Sequence, residues 1–235
     1  MQPVSHDAPP GGWPRRVWSR VRVRLAAKAI GTMAGIPLFL AAYFLVLRHP
    51  LRPVTLMPFT AVDRLVPFWP EMLPVYASLW LYVSVPPALL ISRRGLLSYA
   101  AASVALSALG LAAFVLWPTA VPPAEVNWAQ HPSFAFLKGV DASGNACPSL
   151  HVAFAVFSAC WFERLLAEMG AARWARFANW AWCASIIFST MAIRQHVALD
   201  VAAGTGLGAI VFSAHAAWLR RASWPDSSRG SRCPR

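Results

Sequence analysis

The chain has 235 residues, 57% of them hydrophobic and only 13% charged, with a formal net charge of +12. That composition is too apolar for an ordinary soluble domain and predicts an integral membrane protein. The basic excess needs no nucleic-acid partner, because membrane topology and attraction to anionic headgroups account for it.

In chain order, residues 1–28 carry Pro9, Pro10, Gly11, Gly12 and Pro14 among basic side chains and read as a flexible cytoplasmic tail. Six apolar runs follow, at 29–47, 72–92, 95–117, 146–162, 177–193 and 197–219. Each approaches or exceeds the roughly 20 residues that a helix needs to cross a bilayer. The fourth and fifth are the shortest. The first is too long for a signal peptide, and no small-residue cleavage site follows it before Arg48, so it reads as a retained anchor. Pro86 and Pro87 interrupt the second run. The expected fold is an all-α integral membrane protein, a six-helix bundle over residues 29–219, with a second basic tail at 220–235.

The basic residues orient the bundle. With the N-terminus inside, 16 of the 21 Lys and Arg residues fall in cytoplasmic segments and five outside: Arg48, Arg52, Arg64, Lys138 and Arg194. Positive charge is retained on the cytoplasmic side, so both termini are expected there, in a plasma (inner) membrane. Trp69, Trp80, Trp117 and Trp128 read as interfacial anchors. Cys147, Cys160, Cys183 and Cys233 have neither metal-type nor redox-type spacing and read as unpaired thiols.

Two short stretches carry ionisable groups at the edges of apolar runs, where a bilayer penalises idle charge. One is Cys147-Pro148-Ser149-Leu150-His151; the other is Arg194-Gln195-His196-Val197-Ala198-Leu199-Asp200. His196 and Asp200 are four apart, so on a helix they share a face and touch. In the six-helix topology both stretches sit at outer helix ends, 45 residues apart in sequence yet at similar depth. A histidine held by a carboxylate, with a second histidine opposite, supplies a nucleophile and an acid for phosphoryl chemistry. His196 would attack phosphorus, Asp200 would orient it, and His151 would protonate the leaving oxygen. Ser149, at the start of a helix whose free N–H groups attract anions, together with Arg194 and Lys138, would hold the phosphate. The glycine-containing loop with Gly139, Ser143, Gly144 and Asn145 is placed to wrap it.

At these residues the chain resembles the type 2 phosphatidic acid phosphatase superfamily. The family's second motif, Pro-Ser-Gly-His, stands here as Pro148-Ser149-Leu150-His151. Its third motif, Ser-Arg, five residues, His, three residues, Asp, stands as Ser189-Thr190 through His196 to Asp200 with its spacing kept. The resemblance implies a phosphohistidine on His196, with no cofactor and no metal. Three departures stand out. The first motif, Lys, six residues, Arg-Pro, is absent; Thr190 occupies the phosphate-binding Arg position; Leu150 replaces Gly. These changes, and the stretch Val62-Asp63-Arg64-Leu65-Val66-Pro67-Phe68-Trp69-Pro70, are similar to the branch of inositol phosphorylceramide and sphingomyelin synthases, which move phosphorylated headgroups between lipids. The implied substrate is a phospholipid, or a polyprenyl or sphingolipid phosphate, worked on at the outer face. Two alternatives compete: a zinc hydrolase with His151, His196 and Asp200 as ligands, and a transporter or scaffold with a polar pathway.

Overall fold

The computed structural model describes residues 12–134 and 144–222. Helix α1 (Trp13–Arg22) is followed by α2 (Leu25–Arg48). A 3₁₀ turn at Pro70–Met72 leads into α4 (Leu73–Ala77), α5 (Leu79–Tyr82) and α6 (Val85–Leu89), after the short α3 (Ala61–Leu65). Four long helices complete the frame: α7 (Arg93–Leu116), α8 (Leu150–Glu168), α9 (Arg173–Ala192) and α10 (Ala198–Ala222). Two two-residue strands, β1 (Thr55–Leu56) and β2 (Thr119–Ala120), pair in parallel.

Five of these stretches are long and apolar enough to cross a membrane: Leu25–Arg48, Pro70–Leu89, Arg93–Leu116, Leu150–Glu168 and Ala198–Arg221. The architecture is that of an all-α, multi-pass membrane protein. Large apolar side chains such as Ile30, Met33, Leu38, Val104 and Ile210 stand exposed along the spans, which is the normal state of a lipid-facing surface. The fifth sequence run forms α9, a 20-residue helix, but Arg173, Arg176 and Asn179, with its Trp and Ser residues, keep it out of that apolar class. The second run is a chain of short helices rather than one rod, because Pro74, Pro86 and Pro87 each remove a backbone donor. Side chains re-satisfy the freed groups: Ser78 Oγ donates to Val75 O at 2.6 Å and accepts from Trp182 Nε1 at 3.0 Å.

The N-terminal segment differs from the sequence reading. From Trp13 it is helical, not a flexible tail, because α1 has something to bury. Val17 and Val21 pack on Leu89, Leu165, Leu166 and Met169. Arg16 Nη1 donates to Met169 O at 3.2 Å and Arg20 pairs with Glu168. Lys28, 5% exposed, donates to Arg20 O and Ala88 O and ties α1, α2 and α6 together. Residues 1–11 and 223–235, with Cys233, lie outside the described residues, as do Lys138, Gly139 and Ser143.

Helix α8 is the centre of the bundle, with α10 on one side and α9 on the other. Its apolar residues face both: Leu150, Ala153, Phe157 and Trp161 join Leu106 and Phe114 of α7, while Val152, Val156 and Ala159 join Cys183 and Ile186 of α9. Polar glue adds direction in lipid. Asn179 Nδ2 donates to Ala159 O at 3.1 Å, and Tyr82 Oη donates to Asn179 Oδ1 at 2.5 Å. Along α10, Gly204 and Gly208 lie flat on α8: a Cβ on Gly204 would overlap the Ser149 carbonyl oxygen, and one on Gly208 that of Ala153. Leu150, which stands where the related motif has Gly, fits because it fills the space beside Gly110 of α7.

Candidate active site

The site is built at the end of the bundle opposite α1, from three turns, of which the second and third adjoin in the chain and the first lies far from them in sequence. The first is the start of α8. Ser149 is its N-cap, fully buried, and its Oγ accepts from Val152 N at 3.2 Å. The approach to it is clamped by β2: Thr119 Oγ1 accepts from Cys147 N at 2.8 Å, and Ala146 N donates to Thr119 O. Asn145 takes a positive φ of 50° and donates from Nδ2 to Tyr43 O. Cys147 and the other described thiols, Cys160 and Cys183, are free. Burial, then the Asp200 charge, pushes the Cys147 thiol up to about 11, so it stays protonated and unreactive at neutral pH.

The second turn ends α9. It closes as a Schellman motif, with Gln195 N on Thr190 O at 2.9 Å and Arg194 N on Met191 O at 3.0 Å. Arg194 takes the left-handed position, φ 60°, that such a cap usually gives to Gly. Its guanidinium reaches back 128 residues and more, with Nη1 donating to Asp63 O at 3.3 Å and Nη2 to Val66 O at 2.9 Å. Thr190, in the motif's Arg position, is fully buried and its hydroxyl donates to Ile187 O.

The third turn starts α10. His196 is not on the helix but two residues ahead of it, so the predicted shared helical face is replaced by a capping arrangement. Asp200 is the third helical residue and its Oδ2 accepts from Val197 N at 3.1 Å, the return half of a capping box. The same oxygen lies 3.5 Å from His196 Nδ1, a contact one small rotation short of a hydrogen bond. Asp200 is wholly buried and His196 about one-tenth exposed. Asp200 O accepts from Ser149 N at 3.0 Å, which bolts the third turn to the first.

His151, in the first turn of α8, completes the group. Its ring stacks on Tyr76 of α4 at 4.0 Å and its Nε2 bonds Tyr76 O at 3.1 Å. A carbonyl only accepts, so Nε2 carries the proton and Nδ1 is the nitrogen left for chemistry. Ser149, two residues before His151, is hydrogen-bonded to Asp200, which in turn contacts His196. The structure thus brings His151, His196, Asp200 and Ser149 together. Arg194 lies on the same turn as His196 with two of its donors committed to carbonyls. Among the described residues, no three His, Cys, Asp or Glu side chains cluster as metal ligands.

A family model described as the PAP2 superfamily matches residues 71–214, more than half of the chain. The chain belongs to the PAP2 superfamily. No curated protein and no solved structure matches the chain significantly. As a PAP2-superfamily member it is an enzyme of the phosphoesterase type acting on phosphate esters. The matched span contains α4 through most of α10, and therefore Tyr76, His151, His196 and Asp200.

One residue of this PAP2-type site escaped the sequence reading. Asp63, 2% exposed, lies ahead of the matched span and caps α10 from outside: its Oδ1 accepts from Ala198 N at 2.7 Å. Its Oδ2 accepts from Thr60 N at 2.7 Å and Thr60 Oγ1 at 2.6 Å. Two carboxylates, Asp63 and Asp200, therefore satisfy the first amides of α10 and sit at the positive end of its dipole. The one available signal was Thr60-Ala61-Val62-Asp63, an N-cap pattern in a segment without an apolar run.

Proposed function

We propose that this PAP2-superfamily enzyme is a membrane lipid phosphatase or headgroup phosphotransferase working through a phosphohistidine on His196. The observation that carries the reading is the contact of His196 Nδ1 with buried Asp200 at 3.5 Å, with Asp200 O bonded to Ser149 N at the start of the helix that carries His151. Asp200 holds the Nδ1 proton in place and leaves the Nε2 lone pair as nucleophile. As Nε2 bonds to phosphorus, the ester P–O bond breaks, and His151, protonated on Nδ1, gives that proton to the leaving alkoxide. In the second half, water or a lipid alcohol gives its proton back to His151 Nδ1, its oxygen takes the phosphoryl group, and His196 is freed. Asp200 stabilises the imidazolium formed in between.

Around the phosphate we assign the remaining N–H groups of Arg194, the first-turn amides and hydroxyl proton of Ser149, and Lys138. This set is poor in cations, as in the inositol phosphorylceramide and sphingomyelin synthase-like branch, whose headgroup transfer is the finer form of the proposal. In six-span form, with α9 as the fifth crossing, both termini are cytoplasmic and the site faces outward. The 16-to-5 division of Lys and Arg supports that orientation.

The test is a lipid-extract assay with purified protein, read by mass spectrometry, with and without polar acceptors. Vanadate is expected to inhibit turnover. His151→Ala is expected to slow alkyl phosphate esters about 10²- to 10⁴-fold, the usual worth of a general acid, and aryl phosphates much less, because a good leaving group needs no proton. Equal losses on both classes would remove His151 from that role. For orientation, Glu125→Cys, in the exposed connection between α7 and α8, is expected to react with a membrane-impermeant maleimide in intact cells when Cys233 is replaced by Ser. Reaction only after lysis would invert the topology.

A further inference from the structure

The turn that carries His196 spends almost every polar side chain on the fold. The Ser189 and Thr190 hydroxyls donate to Ile186 O and Ile187 O. The Arg194 guanidinium holds two carbonyls, and Asp63 has both carboxylate oxygens engaged. Gln195 is the exception. It is 3% exposed, and among the described residues neither its Oε1 nor its Nε2 has a hydrogen-bond partner. Its main chain is committed to the Schellman cap through Gln195 N, so the residue is held firmly while the carboxamide remains unspent. Asp200 Oδ1, fully buried, is unpartnered as well.

Buried polar groups in folded proteins are nearly always paired, because losing water without a replacement costs stability. A residue that merely filled this space would be better as Leu or Met. An amide kept there, next to the nucleophile, is explained by a partner that the ligand brings.

We propose that Gln195 is a phosphoryl-binding residue. Its Nε2 donates to a non-bridging oxygen of the phosphate ester at His196, a neutral donor where Thr190 leaves the motif without its cation. Its Oε1, with Asp200 Oδ1, offers acceptors to a hydroxyl on the same ligand. The ligand class is a phosphate ester that presents both an anionic oxygen and an O–H group, and orthovanadate at neutral pH is a small probe with both. This assignment rests on the phosphoryl-transfer reading of the site.

The experiment compares the full chain in detergent with Gln195→Leu and Gln195→Glu, reading vanadate affinity and, separately, thermal stability without ligand. Gln195→Leu is expected to weaken vanadate about 10- to 100-fold, the worth of one hydrogen bond to a charged group. Its ligand-free melting temperature is expected to stay level or rise, since an unpaired buried amide has been removed. Gln195→Glu is expected to bind vanadate more weakly still, through like-charge repulsion. Wild-type vanadate affinity in Gln195→Leu would overturn the proposal. So would a fall in its ligand-free stability or a failure to fold, since either means that the amide is spent inside the fold. If the wild-type chain itself does not bind vanadate, the phosphoryl-transfer reading fails first and takes this assignment with it.

Discussion

His196→Ala is expected to abolish turnover, by about 10³-fold or more, while the protein still inserts and folds. The loss is large because a covalent path disappears: no water in the same place can form the phosphoryl-enzyme. The fold is expected to survive because His196 contributes little to it. Its Nδ1 makes no hydrogen bond among the described residues, and the start of α10 is held by Asp200, Asp63 and main-chain bonds. Asp200→Ala is different in kind, since it also strips the cap from Val197 N and leaves a buried void. Turnover of a lipid phosphate ester, together with a thermal melt, separates the two. Base-quenched protein should carry labelled phosphate in the wild type and none in His196→Ala. Near-normal turnover by His196→Ala would end the phosphohistidine assignment.

Gly204→Ala is expected to cost about 10²-fold or more in turnover, although Gly204 touches no substrate, because a misplacement of about 1 Å suffices for such a loss. The new Cβ would overlap Ser149 O, so α10 must move off α8. That movement stretches the bond from Ser149 N to Asp200 O and pulls His196 away from His151. Overpacking of this kind also destabilises by roughly 1–3 kcal/mol. Gly206, two residues on, is the control: nothing lies within 4 Å of its hypothetical Cβ. Gly206→Ala is expected to be neutral or stabilising by up to about 1 kcal/mol, from helix propensity alone. Equal effects at the two glycines would show that the close approach does not position the site.

The residues proposed for the chemistry are legible in the sequence because their signals are local. A histidine and an aspartate four apart, next to a Pro-Ser-x-His stretch on another apolar run, announce themselves without a fold. Arg194 shows the limit of that reasoning. Its sequence position, two before His196, suggests a phosphate contact but does not show that its guanidinium also clasps the carbonyls of Asp63 and Val66. That partner segment is some 130 residues away, and nothing in local pattern pairs them. Asp63 was passed over for the same reason. The α1 helix looks like tail in the sequence because Val17 and Val21 find a partner only where α6 and α8 end together.

By itself the sequence determined the membrane class, the positions of most of the apolar spans and which ionisable side chains stand at their edges. Lipid forces the first two, since a crossing segment must be long and apolar, and it makes idle charge costly, which singles out the third. The tertiary structure alone decided how those side chains meet. Gly204 and Gly208 let α10 lie on α8, Asp200 became a cap of its own helix as well as the partner of His196, and Gln195 was left buried and unpaired beside them. These are consequences of close packing between helices far apart in sequence. Such contacts depend on the volume and hydrogen bonds of both partners at once, and a one-dimensional pattern records only one partner at a time.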